Sequence, residues 1–127
     1  MTYKMNQKQL EHIINLNAED RYSHLLEKIV DCKEIWSLKN DEGFVSMEDS
    51  SKKIGIPFWP HSEYAKLFIT ESWSDCEPEK IILTDFLEKW LPGMKKDDIM
   101  AIVFPVPSAG GITIDPIDLL DDIKDEC

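Results

Sequence analysis

Residues 55–68 read GIPFWPHSEYAKLF, and the two halves of this stretch call for different backbones. In IGIPF, Ile54, Ile56 and Phe58 alternate on one face, which is a strand pattern. Pro57 has no N–H to give a neighbouring strand, so the segment is expected at a sheet edge or at its own end. Pro60 disfavours helix at Trp59 before it. Beyond it, HSEYAKLFITE carries Tyr64, Leu67 and Phe68 at helical spacing. His61 or Ser62 can cap this helix, and Glu63 in its first turn complements the positive end of the helix dipole. The stretch is a corner where a strand becomes a helix.

Upstream, Leu10, Ile13 and Ile14 form a short helical stripe. Asn17, with Asp20 three residues on, marks the N-cap of a second helix bearing Ala18, Tyr22, Leu25, Leu26 and Ile29, ending near Asp31 to Lys33. EIWSLKN, the turn NDEG and FVSME describe a hairpin, followed by the polar loop DSSKK. Downstream, SWSDCEPE is a polar loop and KIIL a short strand. Thr84 is expected to cap DFLEKWL, with Phe86, Leu87, Trp90 and Leu91 on one side, and Pro92-Gly93 to stop it. IMAIVF, residues 99–104, has no polar residue to face water and should be an inner strand. Pro105 and Pro107 end it, Ala109-Gly110-Gly111 turns the chain, and ITI is a further strand. Asp115-Pro116 starts a last helix that buries Ile117, Leu120 and Ile123. Hairpins mixed with single crossover helices define an α+β class: one domain over residues 1–127, with a mostly antiparallel or mixed sheet and helices packed against it.

Composition narrows the partners. The 127 residues carry 25 acids against 14 bases, a formal charge of −11. That field repels nucleic acid and anionic membranes. The adjacent lysine pairs Lys52-Lys53 and Lys95-Lys96 make no basic stripe. No apolar run approaches the ~20 residues that span a bilayer, and the polar N-terminus does not read as a signal peptide. Cys32, Cys76 and Cys127 are odd in number and far apart, as reduced cytoplasmic thiols are.

Taken in order, RYSHLLEKIVDCKEIWSLKNDEGFV, IPFWPHSEYAKLF, LTDFLEKWLPGM and IVFPVPSAGGITIDPIDLLDDI make the chain similar to a bacterial family known as Domain of Unknown Function 2750, over about residues 17–124. The combination of WP..EYA, FLEKWLPGM and FP.P carries the resemblance. It implies a small cytoplasmic α+β domain and brings no activity, cofactor or catalytic residue.

The chemistry that can be read is thin. His61-Ser62-Glu63 is the H-x-E half of a zinc deaminase signature, but the P-C-x-x-C half is missing: the nearest cysteines, 32 and 76, lie 44 positions apart. Asp41-Glu42-Gly43 is too short for a calcium loop, and Gly110-Gly111 precedes no helix and lacks the lysine of a phosphate loop. No set of nucleophile, base and orienting group is complete, so no metal and no cofactor is expected. Trp36 and Trp90 fit core positions, whereas Trp73 sits among polar residues as a lid over the core or a binding anchor. The acids from Asp115 to Glu126 form the wet face of an amphipathic helix. The expectation is a non-enzymatic acidic domain that binds a protein partner or itself, with Trp59, Tyr64 and Trp73 as an anchor patch. The alternative is a small enzyme or ligand binder whose pocket lies at Trp59, His61 and Glu63, with His61 open to the cavity.

Overall fold

The computed structural model describes residues 7–49, 51–69, 73–106 and 110–126. Helices α1 (Gln7–Ile14) and α2 (Ala18–Cys32) open the chain. The Asn17 side chain accepts from the Asp20 amide at 2.8 Å, and Lys33 ends α2 with φ 57°. Strands β1 (Glu34–Asn40), β2 (Gly43–Phe44), β3 (Met47–Glu48) and β4 (Ile54–Phe58) follow, then α3 (Ser62–Lys66) and β5 (Glu77–Ile82). The next helix, over 83–96, has a one-turn α4 (Leu83–Asp85), a π-helical segment Phe86–Trp90, and α5 (Leu91–Lys96). Strands β6 (Met100–Val103) and β7 (Ile112–Ile114) and helix α6 (Pro116–Glu126) complete it. The class is α+β, with two sheets ordered β2-β1-β5 and β3-β4-β6-β7. All pairings are antiparallel except β4 with β6, which is parallel.

The sheets meet where Trp36 of β1 and Trp59, just after β4, exchange backbone bonds of 2.8 Å in both directions. Residues 43–48 bridge the sheets more loosely. Gly43 and Phe44 pair with Asn40 and Lys39, whereas Met47 and Glu48 pair with Gly55 and Ile54. FVSME is therefore two short strands on two sheets, and the expectation of one returning strand is corrected.

Pro57 sits between these two connections. Phe58 gives its carbonyl to the Phe104 amide on the β6 side at 2.8 Å. Alternation turns the polar edge of Pro57 the other way, toward β1. Proline supplies no N–H there, and its carbonyl accepts from the buried Ser37 hydroxyl at 2.7 Å. Of the two expected positions the strand end stands, since β4 finishes at Phe58, and the edge is corrected. β4 lies inside its sheet, and proline is tolerated because it faces the gap between two pairings.

Other boundaries also moved. β5 begins at Glu77, inside the segment read as loop, and α3 is shorter than its pattern. Thr84 caps nothing: Ile82 holds the N-cap position and no side chain caps the helix. Pro92 does not stop that helix. In an α-helix the ring of Pro92 would crowd the carbonyl four residues back. Here the Leu91 amide reaches Phe86, five residues back, and the widened turn carries the helix on to Lys96. On α6 the Asp115 side chain accepts from the Ile117 amide at 2.8 Å, as a cap should. Leu119 and Ile123 are buried, whereas Ile117 and Leu120 are half-buried. Trp36 and Trp90 are half-buried rather than central. The Ala109 end of the expected turn and Cys127 lie outside the described residues.

β6 is the inner strand its composition demands, with Ala101, Ile102 and Val103 buried between β4 and β7. Phe58 joins the core through Phe86 (centroids 4.9 Å apart) and Trp90 (6.1 Å). Ser37→Ala should lower the free energy of unfolding by ~1–3 kcal/mol by leaving a buried acceptor without a donor. Urea denaturation measures this, and an unchanged midpoint would show that the Ser37–Pro57 bond contributes nothing.

Candidate functional site

The carboxyl ends of the parallel strands β4 and β6 lead into the proline-flanked corner. Trp59 is fully buried, its indole N–H donates to the Pro105 carbonyl at 2.8 Å, and its ring leans on Phe68 at 5.5 Å. Phe68 in turn meets Trp73 edge-on at 6.2 Å, and Trp73 is half-buried. That is the lid position rather than a free anchor. Tyr64 is 1% exposed and packs on Phe104, with ring centroids 4.6 Å apart.

His61 caps α3: its Nδ1 accepts from the Glu63 amide at 3.2 Å, so a neutral ring carries its proton on Nε2. Only 7% of His61 is exposed. The Glu63 carboxylate is engaged by Lys66 at 3.1 Å. The corner therefore joins Trp59, His61 and Tyr64 in one packed unit, with Trp73 attached through Phe68. Glu63 meets the imidazole through its backbone amide, and its carboxylate bonds Lys66. Trp59 and Tyr64 offer no surface for an anchor patch. Among the described residues, no three His, Cys, Asp or Glu side chains converge as metal ligands.

Behind the corner lies a group that the apolar pattern of α2 hides. Arg21 is 2% exposed. Its Nε donates to the Phe104 carbonyl at 3.1 Å, Nη1 to Leu16 at 2.6 Å and Nη2 to Gly110 at 2.7 Å. Among the described residues no carboxylate pairs with it. Burial pulls its guanidinium below the ordinary value, although an arginine stays protonated. The carbonyl dipoles thus take the place of a counter-ion. One of them belongs to Phe104, whose φ of 54° is left-handed, a costly conformation for a bulky side chain. Arg21 and the amide bond to Phe58 hold that residue in place. The spacing offered a clue, since Arg21 stands four and eight residues before the buried Leu25 and Ile29.

His24, one turn beyond Arg21, faces Tyr64 at 6.4 Å and Phe104 at 6.3 Å. Burial, helped by Lys28 and opposed by Glu27, lowers its pKa. Tyr22 donates to Asp122 of α6. Burial first, then that bond and the charges of Asp122 and Asp118, raise its phenol far above the usual range. Burial likewise raises the thiols of Cys32 and Cys76, which are poor nucleophiles at neutral pH. Clefts open elsewhere. One of ≈ 280 Å³ is lined by Met47, Glu48, Asp49, Ile102, Gly110, Gly111 and Thr113, and another of ≈ 360 Å³ lies at the start of β4 and β6.

The family described as "Protein of unknown function (DUF2750)" matches residues 22–123, and the chain belongs to it. No curated protein and no solved structure matches the chain.

Two measurements test the cluster. Arg21→Met should cost on the order of 3 kcal/mol of stability by leaving three carbonyls without their donor, and equal stability would remove the clamp. His24 has a folded pKa below its unfolded value, so its contribution is complete above about pH 6.5 and fades as pH falls toward the folded value, because the unfolded chain takes up the proton first. His24→Phe should flatten the dependence of unfolding free energy on pH in that range, and an unaltered slope would assign it to other groups.

Proposed function

We propose that this chain is a cytoplasmic protein-binding domain that presents an acidic two-helix face to a basic partner. The observation that carries this reading is how α2 and α6 pack. The bond from Tyr22 to Asp122 ties the two helices together. Glu19, Asp20, Glu27 and Asp31 are exposed on α2, and Asp118, Asp121, Asp125 and Glu126 on α6. Lys124 is the exposed base among them, since Arg21 points into the interior and Lys28 is half-buried. The acids lie on rigid elements whose other faces are core, and this favours electrostatic steering and orientation of a positively charged surface.

The small-ligand alternative draws less support. It needs an imidazole open to a cavity, and His61 is 7% exposed with Nδ1 used as a cap. A chain of charge −11 also disfavours nucleic acid as the partner.

Affinity capture on the immobilised chain, from the cells that make it, should return a basic protein in stoichiometric amount. Raising the salt should release it, because contacts between exposed charges are screened. The triple variant Asp118→Lys, Asp121→Lys, Asp125→Lys should lose it while keeping its melting temperature. Retention of the partner by the folded triple variant, or capture of nothing stoichiometric by the parent, would end this proposal.

A further inference from the structure

We draw no further inference here: the strongest candidate, the outer edge of β5, where Ile82 stands 55% exposed and no further strand pairs among the described residues, carries nothing because nothing in the structure shows what covers it.

Discussion

Everything in this fold depends on the backbone exchange between Trp36 and Trp59. Two hydrogen bonds of 2.8 Å fasten the three-stranded sheet to the four-stranded one at a single residue pair. On one side of that fastening, residues 43–48 change sheets. On the other, the chain turns through Pro60 into α3. Between fastening and crossover lies the short gap where β4 has no strand partner on its β1 side. Proline and a serine hydroxyl fit that gap because one brings no donor and the other supplies one. A residue with an amide at position 57 would bury a donor facing no acceptor strand.

Features set by neighbours in sequence could be read directly. The Asn17 and Asp115 caps are local hydrogen bonds, three and two residues long, and both form as their spacing implies. The apolar run at 99–104 had no polar residue to show water, and β6 lies inside the sheet for that reason. What could not be read depends on distant parts of the chain. Nothing within FVSME marks where it leaves one sheet for the other, because the point of departure is set by Trp59 pairing with Trp36. Pro92 has the sequence signature of a helix stop. The π-helical turn that lets the helix pass it is a backbone adjustment stabilised by the packing of Phe86 and Leu91, both fully buried.

The candidate site divides along the same line. That a cap stands at His61 or Ser62 followed from their neighbours, whereas the choice of His61, and of a lid rather than an anchor for Trp73, did not. Nor did the depth at which Trp59 and Tyr64 lie, since it requires Phe68 and Phe104 to close over them. Arg21 was obscured because a stripe is counted by its apolar members. An arginine at a core position becomes intelligible only when three carbonyls converge on it, two of them from the far half of the chain.

Those carbonyls have a consequence for biosynthesis. Arg21 bonds to Phe104 and Gly110, which follow it by 83 and 89 positions. On the ribosome, its guanidinium is synthesised long before the groups that will desolvate it. Until they arrive, α2 must keep a full charge on the flank that later enters the core. The bonds that compensate its burial are complete only once β6 and the residues after it are present. A charge placed there ties the closing of the first helices to groups near the other end of the chain.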